Sequence, residues 1–205
     1  MRICFSAALL LGACAMVLGE ELPTAQANAL ERRFFAAQSG INTLEADFIQ
    51  TISAPGLARS AKSKGQVFFR SPESLRIQYS DPAGEWMQLD KETFTVVRSN
   101  RQPETRPSSH PSARVLAALR EILRGKKPAE NMKRRVYVEG DIYRVILVPE
   151  QGAPNQPSRI EIEADVEGFK LRSMIVSLPR GATMRFDFSS VRRNHRLPAD
   201  LFIAP

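Results

Sequence analysis

The sequence predicts a mainly β domain with two helices, of the α+β class: one long antiparallel sheet with a single apolar face, and amphipathic helices to cover it. Three observations predict it. About ten segments alternate apolar and polar residues with period two, as half-buried strands do. Turn signals separate most neighbouring segments, so consecutive strands join as hairpins. Two further segments switch to helical spacing and carry apolar stripes. A sheet of so many strands must curl or close, and 205 residues suffice for one such domain with a sizeable core.

Each element has its own signal. Over 28–38, Leu30, Phe34 and Ala37 fall at i, i+4 and i+7, with Gly40 placed to end the helix. Leu44, Ala46 and Phe48 then alternate with Glu45 and Asp47, and a loop around Pro55-Gly56 follows. Strands are predicted at 65–70, 75–79, 85–89 and 93–98, with Asp81-Pro82-Ala83-Gly84 a strong turn. Residues 100–111 are polar, hold Pro103, Pro107 and Pro111, and read as a surface loop. The clearest helix spans 112–124: Ser112 is placed to cap it, Gly125 to end it, and Val115, Leu116, Leu119, Ile122 and Leu123 form its stripe. Strands return at 135–139 and 142–148 around the tight turn Gly140-Asp141, then at 159–164, 171–178 and 183–189. Met184, Phe186 and Phe188 share one face of the last.

The first 27 residues read as a secretory leader: Arg2, an apolar run Ile3–Leu18, and an Ala25-Gln26-Ala27 site after Pro23, leaving a single domain over 28–205. A second reading stays open, in which Leu11-Gly12-Ala13-Cys14 is a lipobox and Cys14 carries a lipid anchor. The run is shorter than the roughly 18 apolar residues that span a bilayer. Cys4 and Cys14 are the only cysteines, so a chain cut after Ala27 has neither disulfides nor thiol chemistry. The net charge is +7, and the leader's Glu20 and Glu21 outweigh Arg2, so the remainder is more basic still. That balance suits acidic partners or anionic lipid surfaces. Nucleic acid is not expected, because Lys133-Arg134-Arg135 and Arg192-Arg193 lack interleaved aromatics and the chain carries an export signal.

Catalytic patterns are lacking. His110 and His195 are the only histidines, and neither stands at metal-ligand spacing. There is no nucleophile elbow, phosphate loop or dinucleotide fingerprint. Asp47 and Asp187 alternate with apolar neighbours, which places them on a solvated outer face rather than in a carboxylate pair. No enzyme, metal or cofactor is expected; an enzyme acting on lipid would have to draw on His110 or His195.

Several segments, in order and spacing, resemble the outer-membrane lipoprotein carriers of the LolA type. They are Leu44-Glu45-Ala46-Asp47-Phe48-Ile49-Gln50; Gly65-Gln66-Val67-Phe68-Phe69-Arg70-Ser71-Pro72; Leu75-Arg76-Ile77-Gln78-Tyr79 followed by Pro82; and Leu89-Asp90-Lys91-Glu92-Thr93-Phe94. The closing hairpin and tail, with Gly181, Phe186 to Phe188, Asn194, Leu197 and Phe202, complete the likeness over about residues 28–205. The resemblance implies an incomplete barrel of about eleven antiparallel strands whose apolar concave face receives acyl chains under a helical lid. It implies Phe48, Val67, Phe69, Leu75, Ile77 and Phe94 as cavity lining and Val115, Leu119 and Ile122 as lid. The family's arginine directly before the turn proline is replaced by Ser71, which leaves Arg70 and Arg76 as candidates for holding the lid. Lys91 and Glu92 replace the family's Gly-Lys turn.

The function implied is a monomeric periplasmic carrier. It would accept acylated lipoproteins from an inner-membrane ABC-type releasing complex and pass them to an outer-membrane receptor. The alternatives are a Cys14-anchored, receptor-like relative, a carrier of another amphiphile such as a glycolipid or polyketide-like lipid, or a structural envelope protein.

Overall fold

The structure is a computed structural model and describes residues 21–99, 101–128, 131–151 and 156–203. Ile3–Leu18, Cys14 and the start of the 100–111 loop lie outside the described residues.

Eleven strands form one antiparallel sheet: β1 (Thr43–Ser53), β2 (Ala61–Arg70), β3 (Ser74–Asp81), β4 (Ala83–Leu89), β5 (Thr93–Val97), β6 (Glu104–Pro107), β7 (Met132–Glu139), β8 (Ile142–Pro149), β9 (Arg159–Asp165), β10 (Leu171–Ser177) and β11 (Thr183–Arg193). Their order is β6-β5-β4-β3-β2-β1-β11-β10-β9-β8-β7. β1 is therefore central: the chain spreads to one edge as far as β6, then restarts at the other edge with β7 and returns to pair β11 with β1. Laid flat, such a sheet would be roughly 50 Å wide at about 4.8 Å per strand, so it curls.

Two helices complete the domain, α1 (Thr24–Ser39) and α2 (Arg114–Leu123). α2 lies in the connection between the two edge strands β6 and β7. That connection has to travel from one edge of the sheet to the other, and α2 makes the crossing over the concave face. Val115, Leu116, Leu119, Ile122 and Leu123 are all buried there, as the helical spacing requires. Gly125 ends the helix at φ 66°, its N–H donating to the Ile122 carbonyl at 2.9 Å.

Four expectations need correcting. The 100–111 loop contains β6, an edge strand paired to β5 with Thr95 and Thr105 hydroxyls 3.1 Å apart. Its prolines hid it, because an edge strand tolerates residues without an N–H. Ser112 does not cap α2; Pro111–Ala113 form a 3-10 turn and Ala113 stands at the cap with no side-chain bond. α1 begins at Thr24, not Asn28. Its deepest residues are Glu31, Phe34, Phe35 and Gln38, while Leu30 and Ala37 are only partly buried. The polar pair can face inward because each finds a partner: Glu31 takes Arg134 at 3.0 Å, and Gln38 Nε2 donates to the Phe169 carbonyl at 2.8 Å. Phe34 stacks on Tyr143 at 5.0 Å and meets Phe169 edge-on at 5.8 Å.

The segment before α1 also belongs to the fold. Leu22 N–H donates to the Val136 carbonyl at 2.9 Å, and Glu21 bridges Tyr137, so these residues cover part of the β7 edge.

Gly125 joins the helices. A Cβ there would lie 2.4 Å from the Phe35 carbonyl oxygen and 2.5 Å from Ser39 N. Gly125→Ala is expected to cost at least about 2 kcal/mol from left-handed strain and backbone collision together. Gly140 has φ 58° but open space around it. Gly140→Ala is therefore expected to cost only about 1 kcal/mol. Urea midpoints of the two variants measure the difference, and equal losses would contradict the close docking of α1 on α2.

A candidate ligand cavity under the second helix

Strand register places Phe48, Val67, Phe69, Leu75, Ile77 and Phe94 on one face: Phe48 lies opposite Gly65, Val67 opposite Ile77, Phe69 opposite Leu75, and Leu89 joins Leu75 to Phe94. All six are buried, and they pack with Val115, Leu119 and Ile122 into one apolar core. With α2 in place, most of this face is thus filled by protein rather than open to a ligand.

Open space remains along α2. Beside its N-terminal half is a cavity of about 360 Å³, lined by Phe94 and Val115 and by Met87, Val96, Met184 and Phe186, with Gln50 and Tyr79 also in its wall. Under the middle of the helix a void of about 10 Å³ remains among Val67, Leu119, Leu123 and Phe188. Beside its C-terminal half is a groove of about 490 Å³ between Phe35, Ile122, Met132 and Ile160, with Glu121, Lys126 and Lys127 also in its lining. Phe94 and Val115 were named from the sequence as lining and lid. Met184 and Phe186 were read as sharing one face of a strand, and Met87 and Val96 as lying on neighbouring strands, but none of the four was named as cavity lining.

The helix is latched by its own side chain. Arg120, 13% exposed, donates to the Asp90 carbonyl at 2.8 Å and to the Glu73 carbonyl at 3.3 Å, in the β4–β5 and β2–β3 turns. Next to it, Glu121 meets Lys126 at 2.9 Å and Arg124 at 3.1 Å. Burial pushes the Glu121 carboxyl up, but the Lys126 hydrogen bond and the charges of Arg124, Lys126 and Arg120 outweigh it and hold it below its ordinary value. In the cavity wall, Tyr79 Oη donates to Gln50 Oε1 at 3.1 Å. Burial pushes the Tyr79 hydroxyl up to about 12, with the Gln50 hydrogen bond opposing and the Glu85 charge adding, so it stays neutral at physiological pH.

Arg70 and Arg76 do not touch α2. Both hold the C-terminal segment 197–203 against the convex face. Arg70 donates to the Pro198 carbonyl at 2.9 Å and lies 4.7 Å over the Phe202 ring. Arg76 donates to the Leu201 carbonyl at 3.0 Å and lies 4.1 Å over Trp86, while Gln88 Nε2 donates to the Phe202 carbonyl at 2.8 Å.

The profile of the family described as outer membrane lipoprotein carrier protein LolA matches residues 39–204. The chain belongs to that family. No curated protein matches it. Among solved structures, MucB superposes with a TM-score of 0.55 at 15% identity, covering 89% of this chain and 64% of that one. The Pseudomonas aeruginosa MucA/MucB complex gives 0.50 at 15% identity, covering 88% and 61%. An uncharacterized conserved protein from Thermus thermophilus gives 0.50 at 10% identity, covering 88% and 94%. At these identities the likeness is one of fold, and this chain spans less than two thirds of the MucB chains.

The LolA family is a binding and carrier fold. His195 Nε2 lies 2.9 Å from Glu45, and His110 takes the Ser112 N–H on Nδ1 at 3.2 Å while Arg106 sits 3.2 Å from its Nε2. Asp47 accepts from Gln66 at 3.2 Å and Asp187 pairs with Arg185 at 2.6 Å, each within its own outer-face contact. Among the described residues no cluster of His, Cys, Asp and Glu could hold a metal, and no helix is long and apolar enough to cross a membrane.

Removing the latch should free the helix. Hydrogen bonds from a charged donor contribute about 1.5–3 kcal/mol. Arg120→Ala should therefore speed amide exchange across 114–123 by roughly tenfold or more, with Arg120→Lys recovering part because its ammonium keeps a charged donor but takes the place of Nη1 only approximately. Unchanged exchange in the alanine variant would show that the apolar stripe alone holds α2.

Proposed function

We propose that this protein is a periplasmic carrier that shelters the acyl chains of lipoproteins beneath α2 and moves them from the inner to the outer membrane. The observation that carries the reading is an apolar cavity bounded by an amphipathic helix that a few polar contacts hold at its rim. At about 360 Å³ the cavity sits at the small end of ordinary ligand sites, which run from about 300 to 1,000 Å³. It suits one acyl chain. Lifting α2 would merge cavity, central void and groove into one trough able to take more. Undocking exposes the helix stripe, and burial of ligand methylenes at about 0.8 kcal/mol each offsets that cost. An empty carrier recloses on its own stripe, so its apolar surface stays hidden between deliveries.

Donor and acceptor in this reading are an inner-membrane ABC-type releasing complex and an outer-membrane receptor. The basic chain, +7 overall, suits anionic surfaces at both steps. Export requires a leader. The contacts of Glu21, Leu22 and the first turn of α1 favour a cut upstream of Glu21 over one after Ala27, because the later cut removes the β7 edge cover and the Pro23–Ala27 turn. That observation supports a second reading, in which processing occurs at Cys14 and the domain is tethered as a receptor-like relative.

Native mass spectrometry of protein from its own host tests both. Stoichiometric lipoproteins bearing an acylated cysteine are expected, on a chain that retains Glu21. Co-purifying glycolipid would redirect the reading to another amphiphile, an acylated Cys14 would favour the tethered form, and a mature chain starting at Asn28 would refute the upstream cut. Separately, Val96→Trp should fill the cavity and weaken binding of a synthetic acyl peptide at least about tenfold while leaving a folded domain. Full affinity in that variant would place the ligand elsewhere.

A further inference from the structure

Inside the apolar wall of the cavity, one residue has hydrogen-bonding capacity that the protein does not use. Gln50 follows Leu44, Ala46 and Phe48 on the inward face of β1 and is only 3% exposed. Its Oε1 accepts from Tyr79 Oη, and among the described residues nothing takes the hydrogens of its Nε2. Gln50 lines the cavity, so that amide group borders open space rather than packed side chains. The donor therefore points at the cavity, where a ligand acceptor can reach it, while the rest of the side chain is buried. Tyr79 is held by its own surroundings: its ring meets Phe48 edge-on at 5.6 Å across the bare position of Gly65, which pairs with both residues. The hydroxyl in turn fixes the Gln50 carboxamide.

We propose that Gln50, oriented by Tyr79, is a specificity subsite that donates a hydrogen bond to the carbonyl at the root of a bound acyl chain, selecting ester- or amide-linked chains over chains without a carbonyl. This rests on the acyl-binding reading and adds the polar feature of the ligand to it. A few placed polar groups in an apolar wall orient a ligand, and a site built to hydrogen-bond a group discriminates against the analogue that lacks it. Glu85 and Arg98 both line the cavity, so the free carboxylate is tested directly below.

The test compares two probes of equal chain length, a 1-monoacylglycerol and the corresponding 1-alkylglycerol ether, titrated calorimetrically into the full chain and into Gln50→Leu and Tyr79→Phe. The protein as it stands should prefer the ester by about fivefold to tenfold, as one neutral hydrogen bond allows. Gln50→Leu should abolish the preference, bringing ester and ether affinities within about twofold of each other, with both still bound. Tyr79→Phe should reduce the preference without abolishing it. Equal binding of ester and ether to the unaltered protein, or a preference that survives Gln50→Leu, overturns the subsite and leaves acyl binding standing. Failure of both probes to bind any variant removes the acyl-binding reading and the subsite with it. A free fatty acid that outcompetes the ester would replace the carbonyl by an anion as the group recognised.

Discussion

The concave face of an eleven-stranded sheet has to be kept from water, and the connection from β6 to β7 is what does it. Because those strands are the two edges, the chain between them crosses the mouth of the curl, and the apolar stripe of α2 packs into one core with Leu75 and Ile77 of β3 and Phe94 of β5. Everything else along the face is arranged around that contact: a cavity beside one half of the helix, a groove beside the other, and almost no space beneath its centre. In the proposed carrier, a ligand too large for the cavity has to displace the contact that stabilises the domain, so folding and binding would compete for one surface.

The latch adds a polar hold to that apolar contact. Arg120 bonds to the main-chain oxygens of Glu73 and Asp90, not to side chains. Backbone acceptors are indifferent to residue type, and so Ser71, Lys91 and Glu92 can stand in these turns without loss of the latch. The arginine is on the helix and its acceptors are on the sheet, the reverse of what the LolA resemblance implied for Arg70. Freed from the lid, Arg70 and Arg76 secure the C-terminal segment over Phe202 and Trp86, covering the opposite face of β2, β3 and β4.

Alternation carried much of the fold. Leu75-Arg76-Ile77-Gln78-Tyr79 and Met184 to Phe188 could be divided into inner and outer residues from spacing alone, and the structure keeps that division. Spacing failed where a polar residue was inward because a distant partner satisfied it, as Glu31 and Gln38 are by Arg134 and Phe169. It failed also at β6, where pairing with β5 overrides a composition of prolines and charges. For the cavity, Phe94 and Val115 were legible, whereas Gln50 was read only as part of a strand.

By itself, then, the sequence determined the class of fold, the apolar face, the stripe of α2 and the family, because each of these is a periodic or ordered pattern that near neighbours in the chain create. The tertiary structure alone decided which part of that face stays open, which arginine latches the helix and which polar groups enter the core. These depend on residues brought together from far apart, such as Arg120 with Glu73 and Asp90, or Gln50 with Tyr79. Their energies come from desolvation and paired geometry, which depend on the folded surroundings and leave no period in the chain.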